Sequence, residues 1–141
     1  MITPDFSAYA LKVEMWFDPP VGGRELGAKV EELLSKIARA CGDAGAILIG
    51  HIKGVVDTPD KGFRATSVLE PQGRPASRGE LQDGIAQADL VINVLLYGLT
   101  KGQVREIVDP LAEKEMSLPG ARVKLVNIEE KHGTMVHFQD H

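Results

Sequence analysis

Apolar and polar residues alternate at the start of the chain and then change to a helical period. In ALKVEMWFD, residues 10–18, every second residue is apolar, which predicts a strand with one buried face. The segment PPVGG breaks this pattern. From Arg24 to Cys41 apolar residues recur every three or four positions, which predicts an amphipathic helix of about five turns.

The middle of the chain has the pattern of a hairpin. Residues 46–56 and 63–69 have strand composition, and the intervening DTPDKG is typical of a turn. The segment EPQGRPASRG, residues 70–79, predicts an irregular connection because it is rich in Pro, Gly and Arg. Ser77 and Glu80 have the spacing of a capping box, which predicts a short helix through Ala86.

The last third of the chain predicts a strand, a helix and a strand. The near-continuous apolar run ADLVINVLLYGL, residues 88–99, is typical of a central strand. Thr100 and Gln103 again have capping-box spacing, and an apolar stripe at residues 104–111 predicts a second long helix, with a kink or restart at Pro110. The segment GARVKLVNIEE, residues 120–130, predicts the final strand.

The order of these elements contains two strand–helix–strand units. Right-handed crossovers place both long helices on one face of the sheet. In this topology the chain resembles a ferredoxin-like α/β sandwich with an added strand or hairpin. We therefore expect an α+β fold with a mixed, mostly antiparallel sheet of about five strands and two long helices on one face. We expect residues 1–141 to form a single domain, with frayed termini at 1–8 and 131–141.

Composition narrows the classes of function. An apolar fraction of 43% and a charged fraction of 26% are typical of a globular protein, and the net charge of −4 argues against general nucleic-acid binding. Aromatic residues make up only 5%, too few for a base-stacking surface. The single thiol, Cys41, excludes an intramolecular disulfide and is expected to be buried and inert. With no secretory signal and no long apolar run, we expect a cytoplasmic protein without a membrane span.

The stretch ILIGHIKGVV, residues 47–56, contains the main chemical candidates. Strand alternation puts Gly50 and Gly54 on the helix-covered face, where small residues allow a helix to approach closely. The sharper interpretation, a phosphate cradle in GHIKG, matches neither the P-loop nor the GxGxxG pattern, and we do not favour it. His51 and Lys53 fall on the opposite face together with Ile49.

The sheet face away from the helices is predicted to mix polar and apolar residues. Besides His51 and Lys53 it would carry Trp16, Asn93, Tyr97 and either Arg64 or Thr66. A contiguous apolar patch in such a face is expected to be covered, and a two-fold homodimer is the commonest solution.

Two hypotheses of function follow. The first is a homo-oligomeric binding or regulatory module that dimerises through this face and encloses a small anionic ligand, for which Lys53, Asn93, Trp16, Arg74 and Arg78 are the candidate contacts. The alternative is a small-molecule enzyme with His51 as acid/base, Lys53 as anion anchor, Asn93 as orienting donor and the loop 71–78 as a lid.

We expect neither a cofactor nor a functional metal site. Of the C-terminal histidines, His137 and His141 are four residues apart, which suits a metal only on a helix, and Gly133 and the β-rich TMVHF argue against a helix there. We therefore interpret His132, His137 and His141 as part of a frayed tail.

Overall fold

The computed structural model describes residues 6–128, in which six strands and two helices form. In chain order the elements are β1 (Phe6–Val21), α1 (Gly23–Asp43), β2 (Leu48–Asp57), β3 (Gly62–Val68), β4 (Ala76–Leu81), β5 (Ile85–Tyr97), α2 (Lys101–Met116) and β6 (Ala121–Val126). Of the predicted frayed termini, residues 1–5 and 131–141 lie outside the described residues, whereas residues 6–8 belong to β1.

The strands form one sheet in the order β4–β3–β2–β5–β1–β6, and every adjacent pair is antiparallel. The predicted central strand, β5, lies between β1 and β2, which confirms its interpretation as a buried apolar run. Since β1 and β2 are both antiparallel to β5, they are parallel to each other, and α1 connects them across it. The α+β prediction is thus confirmed, while the predicted number of about five strands is wrong by one.

Both helices pack on the same face of the sheet, as predicted. α1 contacts β2, β3, β4 and α2, and α2 also contacts β1 and β6. The predicted stripe of α1 is buried, and so is the alternating set of β1 that includes Leu11, Val13 and Met15. A methyl group on Gly54 would lie 3.2 Å from Leu34 Cδ1 of α1, so this glycine allows the close helix approach that was predicted for it.

The second helix begins as predicted but is continuous. The Thr100 hydroxyl accepts a hydrogen bond from the Gln103 N–H, and the Gln103 side chain accepts one from the Thr100 N–H, which completes the capping box. α2 runs through Pro110 to Met116 without the predicted restart. The Tyr9 hydroxyl of β1 donates to Asp109 Oδ1 at 2.6 Å and ties α2 to the sheet.

The predicted short helix over 77–86 is wrong, because residues 76–81 form the edge strand β4. The Ser77 hydroxyl donates to Glu31 of α1 at 2.7 Å and lies 2.8 Å from the Thr66 hydroxyl, so it does not cap a helix. Pairing of β4 with β3 satisfies backbone groups that a short helix would have satisfied locally. This strand is the sixth one.

Two face assignments in the β2–β3 hairpin are also wrong. The ladder between β2 and β5 shifts register between Ile49 and His51, so Ile49 turns to the helix side and is buried. Gly50 lies in this irregularity and is exposed instead of facing a helix. In β3, Arg64 and Thr66 face the helices, whereas Ala65 and Ser67 pair with Val55 and Lys53 on the opposite face.

β1 is longer than predicted at both ends. It begins at Phe6 and continues through the Pro19–Pro20 segment that was interpreted as a break. The stretch Phe6 to Trp16 pairs with β5, while residues 12–17 also pair with β6 on the other side. The additional residues at its start bring Phe6 beside Tyr97.

A buried carboxylate joins the two helices. Glu115 of α2 is only 5% exposed and accepts hydrogen bonds from Lys36 Nζ at 2.9 Å and Lys29 Nζ at 3.2 Å, both from α1. The hydrogen bond from Lys36 is the main reason that the pKa of Glu115 lies below its ordinary value, against the opposing effect of burial.

This cluster predicts a pH-dependent contribution to stability. Because the pKa of Glu115 is lower when folded than when unfolded, its contribution is present above its ordinary pKa of about 4.3 and is lost as the pH falls through the folded value. We expect Glu115→Gln to lower the free energy of unfolding by on the order of 1 kcal/mol at pH 7.

Urea denaturation of the wild type and Glu115→Gln between pH 7 and pH 3 tests this expectation. The other carboxylates titrate in both proteins, so their effects cancel in the difference between the two free energies of unfolding. That difference should shrink below about pH 4, because Glu115 becomes protonated there. A difference that stays constant over that range would contradict the assignment.

Candidate functional site

The sheet face opposite the helices, called the open face below, carries the predicted polar candidates. On β2, His51 and Lys53 are partly buried and both face this side. Lys53 pairs with Asn93 on β5 and with Ser67 on β3, so these three side chains form one row across the sheet. The predicted neighbourhood of His51, Lys53 and Asn93 therefore forms.

A concave region of the open face lies over β2, β3 and β4 and encloses about 490 Å³. We call it the β2–β4 cavity. Its lining residues are His51, Lys53, Ala65, Ser67, Leu69, Ala76, Ser77 and Arg78. A volume of this size suits a small organic ligand. None of the lining residues is acidic, although the chain has 20 Asp and Glu residues.

Arg78 reaches this cavity because it lies in β4. It was predicted in a loop acting as a lid, but the pairing of Arg78 with Ala65 fixes it on the open face of a strand. Arg74, the other predicted loop arginine, is exposed in the connection between β3 and β4 and is not among the lining residues.

The cavity holds cations without counter-ions. Within residues 6–128, neither Lys53 nor Arg78 forms an ion pair, and the Ser67 hydroxyl makes no hydrogen bond. The Ser77 hydroxyl is already committed to Glu31. The free polar groups of the cavity are thus mostly hydrogen-bond donors, and the local charge is positive in a chain whose net charge is −4.

Trp16 lies at the far end of the open face from the cavity. The guanidinium carbon of Arg122, on β6, lies 4.7 Å from its ring centroid, a cation–π contact. Nearby, Lys12 pairs with Glu14 at 3.5 Å and with Asp89 at 3.8 Å. This end of the face is charged, and Lys12 and Arg122 have partners there.

The opposite end of the open face is apolar. Phe6, Tyr97 and Leu48 are adjacent across β1, β5 and β2, and the rings of Phe6 and Tyr97 have centroids 5.1 Å apart. Phe6 is 54% exposed and Leu48 58% exposed. Leu69, at the rim of the β2–β4 cavity, is 65% exposed. We call Phe6, Tyr97 and Leu48 the apolar end.

A larger cavity of about 830 Å³ lies on the helix side, beside the start of α1. It is lined by charges of both signs: Arg64 donates to Glu31 at 2.7 Å in an ion pair, and the Asp83 carboxylate accepts a hydrogen bond from the Gly23 N–H at 2.9 Å. Hydrogen bonds from Ser77, and then from Arg64, hold the pKa of Glu31 below its ordinary value. This cavity is larger but lacks a charge of one sign, so we favour the β2–β4 cavity as the ligand site.

The remaining predictions concern the cysteine, the tail histidines, metal sites and membrane spans. Cys41 is buried, as predicted, and burial raises the pKa of its thiol to about 11, which disfavours the reactive thiolate. The tail histidines at 132, 137 and 141 lie outside the described residues. Within residues 6–128, no three His, Cys, Asp or Glu side chains are grouped as a metal site. No helix in that range is long and apolar enough to cross a membrane.

Sequence reasoning missed Ala65, Ser67 and Ala76 as cavity residues. Ala65 and Ser67 were overlooked because the other side of β3, with Arg64 or Thr66, was assigned to the open face, and Ala76 because β4 was interpreted as loop and helix. Local sequence carried no clear signal for β4, since ASRGEL lacks the alternation of apolar residues that indicates a strand.

Comparisons with known proteins leave the family open. No protein family matches the sequence, and no curated protein matches it. Among solved structures, the chain is similar over 76% of its length to the crystal structure of a Zn(II)-bound triple mutant of the YjiA GTPase, with a TM-score of 0.38 and 15% sequence identity. The match spans 30% of that chain. A likeness this weak carries no argument about this protein.

Proposed function

We propose that this chain is a homodimeric binding module that joins two copies through the apolar end and binds a small anionic ligand in the β2–β4 cavity. The dimer rests on one observation, the exposed row of Phe6, Tyr97 and Leu48. Contiguous apolar surface is removed from water when a second copy presents the same patch, and a two-fold axis lets one patch serve as both partners.

The contrast between the two ends of the open face supports this location. At the far end the chain has Lys12, Glu14 and Asp89 in mutual ion pairs, which water solvates well. The three residues of the apolar end, Phe6, Tyr97 and Leu48, are uncharged. Burial of the apolar end in a dimer therefore removes none of its side chains as a charged group from water.

Site-directed substitution tests the dimer. We expect the wild type to be a dimer by light scattering on a size-exclusion column and Leu48→Glu to be a monomer at the same concentrations. Each substituted residue should weaken the free energy of dimerisation by on the order of 1.4 kcal/mol. Because a two-fold interface contains this residue twice, the dissociation constant should rise roughly 100-fold.

Phe63→Glu is the matched control, because Phe63 is also on the open face and 48% exposed, but pairs with Asp57 toward the charged end. It should leave the dimer intact. A wild-type monomer over a wide dilution series, or equal dissociation by both substitutions, would refute the proposal.

The anionic ligand is supported by the unpaired cations of the cavity. Lys53 and Arg78 lack partners in the described part of the chain, and no carboxylate lines the surface that they share. Two cations that share a surface without counter-ions favour the binding of an anion there.

We further propose that the fold is a variant of the ferredoxin-like sandwich. In support, the four strands β2–β5–β1–β6 are joined as two strand–helix–strand units that interleave, with α1 and α2 on one face. The hairpin of β3 and β4 is then an insertion after β2 that extends the sheet and builds most of the ligand cavity. A cytoplasmic location suits a protein whose one cysteine is buried and unpaired.

A further inference from the structure

We infer that the β2–β4 cavity selects a phosphate monoester of a small apolar or aromatic alcohol over a carboxylate of similar size. This inference rests on the proposed anion-binding function and names the class of ligand. The cavity supplies two features for it, a surplus of hydrogen-bond donors and an apolar area beside them.

The donors exceed what one carboxylate accepts. Lys53 offers three N–H groups, Arg78 offers five and Ser67 one O–H, whereas a carboxylate has only two acceptor oxygens and one negative charge. A phosphate monoester has three terminal oxygens and a charge of about −1.5 to −2 at pH 7, so it accepts more of these bonds and neutralises both cations.

The positions of the donors allow them to converge on one group. Lys53 and Ser67 are direct partners across β2 and β3, and Arg78 pairs with Ala65, two residues before Ser67 on the same face. Adjacent strands are about 4.8 Å apart, so Arg78 lies about 10 Å from β2, with β3 and its small Ala65 between them. A phosphate above Ser67 would lie between the two cations.

The rest of the cavity is apolar and has room for the alcohol part. Ala65, Ala76 and Leu69 contribute its apolar lining, and Leu69 stands exposed at the rim. A volume of about 490 Å³ is far more than an inorganic phosphate ion fills, so a ligand with an apolar body makes contacts that the bare ion does not.

Isothermal titration with three probes tests the inference. We expect phenyl phosphate to bind more tightly than benzoate, which has the same ring with a carboxylate, and more tightly than inorganic phosphate, which lacks the ring. Lys53→Gln and Arg78→Gln should each weaken phenyl phosphate at least tenfold, since a charge-assisted hydrogen bond is lost in each.

Two further variants separate the contributions. Arg39→Gln is the matched control, because Arg39 is an exposed arginine on α1, away from the cavity, and it should leave binding unchanged. Leu69→Ser should weaken phenyl phosphate toward the affinity of inorganic phosphate and leave inorganic phosphate unaffected. Unchanged melting temperatures confirm that each variant is folded.

The outcomes are distinguishable. If benzoate binds as tightly as phenyl phosphate and depends on Lys53 and Arg78, the phosphate class is wrong and the proposed anion site stands. If inorganic phosphate equals phenyl phosphate, the apolar part of the inference is wrong. If no probe binds, or if binding does not depend on these two residues, both the inference and the proposed ligand site fail, while the dimer is judged separately by light scattering.

Discussion

Gly23→Ala is expected to lower the free energy of unfolding by about 3 kcal/mol, at the upper end for overpacking of a buried site. Gly23 is the first residue of α1 and is buried against the end of β4. An added methyl group would overlap the carbonyl oxygen of Leu81 and lie 2.5 Å from its carbonyl carbon. Because backbone atoms cannot rotate away as a side chain can, α1 and β4 must move apart.

Gly102→Ala is the matched control, since Gly102 is also in the first turn of a helix. There the nearest atom to an added methyl group is the Thr100 hydroxyl oxygen at 4.0 Å, so alanine fits. We expect it to raise the free energy of unfolding by about 0.5–1 kcal/mol through helix propensity. Urea denaturation of both variants measures the effects.

The Gly23→Ala substitution should also weaken binding at the proposed ligand site. β4 carries Arg78 and ends at Leu81, so a displaced β4 moves one of the two cations of the cavity. We expect Gly23→Ala to weaken phenyl phosphate under conditions where it is still folded. A variant as stable as the wild type would contradict the tight contact between α1 and β4.

Leu34→Ala is expected to cost about 3 kcal/mol of unfolding free energy. Leu34 is fully buried on the face of α1 that packs against β2, and its removal leaves a cavity as well as losing apolar burial. Such losses in a well-packed core range from about 2 to 5 kcal/mol.

A double-mutant cycle that combines Leu34→Ala with Gly54→Ala tests the contact between these two residues. In the wild type, a methyl group on Gly54 would lie 3.2 and 3.4 Å from the two δ-methyl groups of Leu34 and 3.3 Å from Leu90 Cδ1. Shortening Leu34 frees most of this space, so Gly54→Ala should be more favourable in the Leu34→Ala background, with a coupling of about 1 kcal/mol. Additive effects of the two substitutions would contradict close packing of α1 on Gly54.

Periodicity predicted the elements that have one buried face and enough length. The alternation of Leu11, Val13 and Met15 and the long stripe of α1 match the burial that the structure has. The prediction of both helices on one face followed from right-handed crossovers. These signals are reliable because burial against a core selects residue types at every turn of a helix or every second residue of a strand.

Signals that rest on two or three residues failed where a distant strand competed. The capping-box spacing of Ser77 and Glu80 was overruled because β3 offers a complete ladder to β4 and Glu31 takes the Ser77 hydroxyl. The face of Ile49 was wrong because one register shift near Gly50 reverses the alternation before it. Neither the partner strand nor the shift is encoded in local spacing.

The sequence by itself determined the α+β architecture, the helix-covered face and the placement of His51 and Lys53 on the other face, because each follows from periodic burial. Only the tertiary structure decided that Arg78 joins Lys53 at one cavity while Arg74 and Trp16 stay outside it. The physical reason is strand pairing: residues 25 apart, such as Lys53 and Arg78, become neighbours through the ladder from β2 to β3 to β4, whose partners and register depend on the whole core.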